Sequence, residues 1–136
     1  MNPSVENILT VYHSSSAADV AVGLAWYQRA HELARTWADE YQRPVQNIAS
    51  IIAAISPRCE WSENIKAARA VLEGQPNTFQ CVNLFYARAE RIRDDVATSP
   101  DSYFKYAPKV CAFARNISGD LTAVTVDTHA GQIAVL

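Results

Sequence analysis

Apolar positions recur at three- and four-residue intervals along nearly the whole chain, and one short stretch alone reads as extended, which predicts an all-α fold. Ser4 to Tyr12 predicts a short first helix, with Val5, Ile8 and Leu9 on one stripe, and the serine run at 14 to 16 ends it. Ala17 to Tyr41 carries Val20, Leu24, Tyr27, Ala30, Ala34 and Trp37 through a long amphipathic stretch that Gly23 could divide. Pro44 suits the first turn of the next helix, where a missing N–H costs nothing, and Ile48, Ile51, Ile52 and Ile55 follow on one face. That helix is the candidate centre of the core. Ser56-Pro57 stops it, because proline disfavours the α conformation of the residue before it.

Arg58-Cys59-Glu60 then makes a tight connection to a helix holding Trp61, Ile65, Ala68, Val71 and Leu72, with Gly74 as its stop. Thr78 to Val96 predicts a further helix, with Val82, Phe85, Ala89, Ile92 and Val96 inward and Arg88, Arg91 and Arg93 outward. A brief turn runs from Ser99-Pro100 through Tyr103-Phe104, and Pro108 or Lys109 opens a helix through Val110, Phe113 and Ile117. Ser118-Gly119-Asp120 reads as a loop. Val124-Thr125-Val126 is β-branched and reads as extended, and Asp127 follows as the N-cap of a last helix from Thr128. No repeat, low-complexity tract or linker interrupts the 136 residues, so residues 1–136 are expected to form a single domain.

Composition narrows the picture. The chain is 49% apolar, with four glycines and six prolines, which excludes a disordered tail. The longest apolar stretches are too short for a bilayer, and the N-terminus lacks a basic segment followed by a hydrophobic core; a soluble, cytoplasmic protein without a membrane partner is expected. Cys59, Cys81 and Cys111 show neither C-x-x-C nor zinc spacing, so they read as buried free thiols, with no metal and no iron–sulfur cluster. The net charge of -2 gives no global attraction to nucleic acid. It conceals an asymmetry: residues 43–115 hold ten basic and seven acidic side chains, and the two ends hold two basic and seven acidic.

The most specific local signal is Val-Thr-Val-Asp-Thr-His-Ala at 124–130, preceded by Pro108-Lys109-Val110-Cys111-Ala112-Phe113, with eighteen positions from Lys109 to Asp127. Here the sequence resembles the helix-hairpin-helix (HhH-GPD) DNA glycosylase superfamily, the endonuclease III and 8-oxoguanine glycosylase group. Its members carry a lysine at the start of the second hairpin helix and a Val-Asp-x-His segment at this spacing. Ile51 to Asn64, IIAAISPRCEWSEN, resembles the upstream helix-loop-helix that delivers polar side chains to the damaged base. GLAWYQRAH, SPRCEWSENIKAA and NISGDLTAVTVDTHA are similar to a largely phage-encoded subgroup.

The resemblance implies a compact helical glycosylase-like domain that takes DNA as partner, either a duplex with a flipped base or a single strand, and needs no cofactor. Asp127 and Lys109 would be the catalytic pair. Cleaving an N-glycosidic bond builds oxocarbenium character on the sugar, which a fixed carboxylate stabilises. A lysine amine kept neutral by partial burial at a helix start can attack C1′ and form a Schiff base, a route to strand cleavage. Arg58 falls where the family fills the gap left by a flipped base, and Trp61 nearby could stack on a base. Asn64, with Ser56, reads as a pocket or capping residue, and His129 could orient Asp127 or contact a phosphate. The family's hairpin glycines are absent from Tyr103-Phe104-Lys105-Tyr106-Ala107-Pro108-Lys109, which leaves Lys105 and Tyr106 to hold a phosphate or base by charge, hydroxyl or stacking.

Plainer readings stand beside each of these. Asp127 is also an ordinary N-cap, Lys109 a solvated first-turn lysine, His129 a half-buried histidine, Trp61 a core anchor and Arg58 a partner for Glu60 or Glu63. His13 and His31 have no ligand partner at metal spacing. The family places further helix after the Val-Asp-x-His segment, so a shortened domain, completed by a partner or a homodimeric second copy, is expected. The functional alternatives are a non-catalytic DNA-binding or regulatory domain of the same fold, a phage enzyme acting on hypermodified pyrimidines, or a helical interaction module.

Overall fold

The computed structural model describes residues 17–96 and 99–120, with side chains from Ala25 onward. Its helices are α1 (Ala17–Tyr41), α2 (Val45–Ile55), α3 (Trp61–Leu72), α4 (Asn83–Asp94), the single turn α5 (Pro100–Tyr103) and α6 (Pro108–Ser118). Among the described residues the fold is all-α. The expected first helix, His13, the Val124–Val126 strand, Asp127 and His129 lie outside the described residues. No helix among the described residues is long and apolar enough to cross a membrane.

The sequence VQNIASIIAAI is apolar on every side, and such a helix must be covered all round. Every residue from Asn47 to Ile55 is buried, with α1, α3, α4 and α6 packed about α2 and α5 touching its side. Its three alanines let neighbours approach, and Phe113, Ile117, Ile92, Val71 and Trp37 fill the space between. α2 is the core's centre, as its period predicts.

Each longer helix that ends against this core leaves carbonyls without an intrahelical partner, and in hydrocarbon surroundings those must be satisfied. Side chains from other segments do so repeatedly. At the end of α2 the Ser56 N–H turns back to the Ala53 carbonyl (3.1 Å), which frees the Ile52 carbonyl to accept from Asn64 Nδ2 of α3 (2.9 Å). At the end of α3, Arg93 of α4 donates to the Val71 carbonyl (2.8 Å). Gly74, at φ 74°, closes the same end with Gln75 N–H on the Ala70 carbonyl (2.8 Å). The Ile92 and Arg93 carbonyls of α4 accept from Asn47 Nδ2 (3.0 Å) and from Arg43 (2.7 Å). The Ile117 carbonyl of α6 accepts from His31 Nδ1 of α1 (2.9 Å).

Several boundaries differ from the sequence pattern. Gly23 does not divide α1, which runs for 25 residues. Pro44 stands at the N-cap of α2 and not inside its first turn. The helix expected from Thr78 begins only at Asn83, because the Asn77 side chain builds a competing turn. Its Oδ1 accepts from Phe79 N–H (3.1 Å), and its Nδ2 donates to the Cys81 carbonyl (3.2 Å) and to Asn83 Oδ1 (2.7 Å). α4 accordingly buries Tyr86, Ala89 and Ile92, while Val82 is its N-cap and Val96 lies beyond its end. Arg93, expected outward, is turned in to Val71. The cysteines are free, but each is only partly buried.

Candidate functional site

The connection between α2 and α3 is a tight turn closed by Cys59 N–H on the Ser56 carbonyl (3.2 Å), with Pro57 and Arg58 at its centre. Arg58 has φ 57°, the left-handed region where an L side chain costs roughly 1–2 kcal/mol. It is exposed and forms no ion pair among the described residues, so the expected pairing with Glu60 or Glu63 is not made. The turn thus carries an exposed cation next to Pro57.

Trp61 opens α3 three residues later. Its ring lies 4.9 Å from Trp26 of α1 and 6.5 Å from Phe113 of α6, and Trp26 stacks on Phe113 at 6.0 Å. Trp61 is therefore a packing anchor that keeps part of its surface open. Phe113 follows Lys109 by one helical turn on the same face of α6. The Trp61–Phe113 contact thus joins the start of α3 to α6 one turn after Lys109. Lys109 is exposed, so the partial burial expected for its amine is not found, and it too has no ion pair among the described residues.

Between α5 and α6, Phe104 turns into the core while Tyr106 is 89% exposed. The Lys105 ammonium sits 5.5 Å from the centre of the Tyr106 ring, a cation–π pair on the surface. The Tyr103 hydroxyl donates to the Asp95 carbonyl, and Ala107 N–H to the Phe104 carbonyl (2.9 Å). Ala107 offers α6 no side-chain cap, and Pro108 has no N–H to give. Asn64 is 1% exposed and its amide is engaged by Ile52, so it holds the α2–α3 corner from inside.

Trp26 was not visible as a site residue because it stands one position off the apolar stripe of α1. The other missed element is Asp101 of α5, whose two oxygens accept from Arg115 of α6 (2.6 and 2.7 Å) and from the Cys111 thiol (3.2 Å). Among the described residues no group of three or more His, Cys, Asp or Glu gathers to hold a metal ion.

A family of unknown function, DUF7178, matches residues 1–136. The chain belongs to the DUF7178 family. No curated protein and no solved structure matches it.

In this DUF7178 member the basic middle of the sequence divides into two groups. Arg43 and Arg93 serve helix ends, and Arg69 and Arg115 pair with Glu40 (2.8 Å) and Asp101 (2.6 Å). Lys66 pairs with Glu63 (3.7 Å), Arg88 lies over the Phe85 ring (5.8 Å), and Arg58, Arg91, Lys105 and Lys109 remain exposed with no ion pair among the described residues. Together with Tyr106 and the open part of Trp61, they offer cations and aromatic faces. Cations and aromatic faces are the side-chain types that phosphate and base contacts use in general.

Proposed function

We propose that this DUF7178 protein is a DNA-binding, glycosylase-like domain of the helix-hairpin-helix type that releases a modified base. Lys109 is the amine nucleophile, Asp127 the carboxylate that stabilises the oxocarbenium-like state, and Arg58 the side chain that fills the vacated stack. The observation that supports the reading is that Arg58 and Lys109 are both exposed with no ion pair among the described residues, with Trp61 and Phe113, three and four residues after them, in ring contact. Such a protein would work in the cytoplasm, on cellular or phage DNA. Incubation with duplexes bearing a panel of modified bases, under borohydride, is expected to trap a covalent adduct that Lys109→Ala abolishes and Asp127→Asn diminishes. Base release without any adduct would reduce the activity to a monofunctional one, and undiminished release by Asp127→Asn would overturn the mechanism.

A second reading keeps the binding and drops the chemistry. It is favoured by the Tyr103–Lys109 segment, which has no glycine to let backbone N–H groups close on a phosphate and instead pairs Lys105 with Tyr106. DNA binding retained by the Lys109→Ala, Asp127→Ala double variant, with no turnover by the parent, selects it.

A further inference from the structure

Cys59 and Cys81 come from different loops, one in the turn between α2 and α3 and the other two residues before α4, yet their sulfur atoms lie 2.8 Å apart. A covalent S–S bond is about 2.05 Å, so closure needs sulfur movement of about 0.8 Å. Neither cysteine is inside a helix, and the backbone on both sides is held by single hydrogen bonds: Cys59 N–H to the Ser56 carbonyl (3.2 Å), the Cys81 carbonyl to Asn77 (3.2 Å) and Gln80 N–H to Glu63 Oε2 (3.4 Å). Cys111 has its own partner in Asp101 and stands outside the pair.

We propose that Cys59 and Cys81 form a reversible redox pair that a small disulfide such as glutathione disulfide oxidises, fastening the Arg58 turn to the loop that enters α4. The inference stands whether or not the chain acts on DNA. The thiolate of either cysteine attacks one sulfur of glutathione disulfide, giving a mixed disulfide and one glutathione thiolate. The other cysteine's sulfur then attacks the Sγ of the mixed disulfide and displaces the second glutathione. Two thiols of the protein are oxidised, one glutathione disulfide is reduced to two glutathiones, and these take up the two protons.

Burial, first of all, pushes the Cys59 thiol up to about 12, and its contact with Cys81 adds to this. Cys81 is also raised by burial, but the Cys59 contact pulls it the other way. With both raised, the thiolate is scarce at neutral pH, and disulfide formation should quicken by about tenfold for each pH unit from 7 to 9.

The test uses the whole reduced chain equilibrated with an excess of glutathione disulfide, alkylated and weighed. One alkylated thiol, a mass lower by two hydrogens before labelling, and a link between the tryptic peptides 59–66 and 70–88 are expected. Three alkylated thiols, a link that includes Cys111, or a link between molecules would overturn the pairing. Cys59→Ser and Cys81→Ser should each leave no internal link. The fastening is read separately by brief native trypsin treatment, since Arg58 is exposed: cleavage after Arg58 should slow severalfold on oxidation, and an unchanged rate overturns that part.

Discussion

Gly119 and the His31 ring occupy one space: a Cβ added to Gly119 would stand 2.9 Å from His31 Cε1. The relationship follows from the cap on α6. His31 Nδ1 donates to the Ile117 carbonyl, so its ring sits against the end of the helix, and the chain there turns through Gly119 at φ 104°. Two separate penalties therefore meet in Gly119→Ala, a backbone conformation that L residues avoid and a steric conflict with an imidazole that cannot leave without losing its bond. Gly119→Ala should destabilise the fold by about 1–3 kcal/mol in urea titration. Adding His31→Ala should remove the steric part, so the double variant should lose less than the sum of the singles; strict additivity would show that the two residues do not share the space.

Asn64 supplies the second such relationship, and here loss of one partner strands the other. The Ile52 carbonyl cannot reach its usual intrahelical donor, because Ser56 N–H is bonded to Ala53. Asn64→Ala leaves that carbonyl buried and unpaired, at a cost of about 1–3 kcal/mol. Asn64→Asp should cost more than Asn64→Ala, since it faces an acceptor with a negative charge. Equal stability of Asn64→Ala and the parent in denaturant titration would contradict the capping role.

The helices and the central place of α2 were legible because their signals are local: isoleucines at i, i+3, i+4 and i+7, Ser-Pro and Gly stops, and proline at a helix start. The late beginning of α4 was not, because the apolar stripe runs on through Val82 and only the Asn77 side chain, by bonding its own neighbours, pre-empts the helix. The inter-helix caps were illegible for a different reason. Asn64, Arg93 and His31 look in sequence like pocket, surface and inert residues, and their partners are backbone carbonyls, which every residue possesses. Of the candidate site, the Arg58 turn could be read from Ser56-Pro57, but the meeting of Trp61, Trp26 and Phe113 depends on how α1, α3 and α6 pack, and no spacing within any one helix encodes it.

Acid should weaken the contact between α5 and α6. The Arg115 hydrogen bonds, chiefly, and the Cys111 thiol hold the Asp101 carboxyl below its ordinary 3.8. Since the folded value is the lower one, the ion pair's contribution is complete above that ordinary value and disappears as the pH falls through the folded one. Both partners are largely exposed, so the effect is modest and screened by salt. Melting temperature followed from pH 6 to 2 should fall less steeply below pH 4 in Asp101→Asn than in the parent. Parallel curves would assign the acid limb to other carboxylates.

Arg58 offers a test in which stability and function should part. Its left-handed conformation costs roughly 1–2 kcal/mol, which glycine avoids, although glycine gives back about 0.4–1 kcal/mol through its freer unfolded chain. Arg58→Gly should therefore be as stable as the parent or more stable by up to about 1 kcal/mol, whereas Arg58→Val, β-branched at positive φ, should be clearly less stable. If the turn is built to present a cation to DNA, the better-folded glycine variant should bind worse. Loss of a phosphate contact should lower the slope of log affinity against log salt by about 0.9, and loss of a gap-filling side chain should instead weaken binding to a lesion-bearing duplex more than to an intact one. A glycine variant that gains stability and keeps full affinity for both duplexes would leave the strain at Arg58 without a DNA-binding purpose.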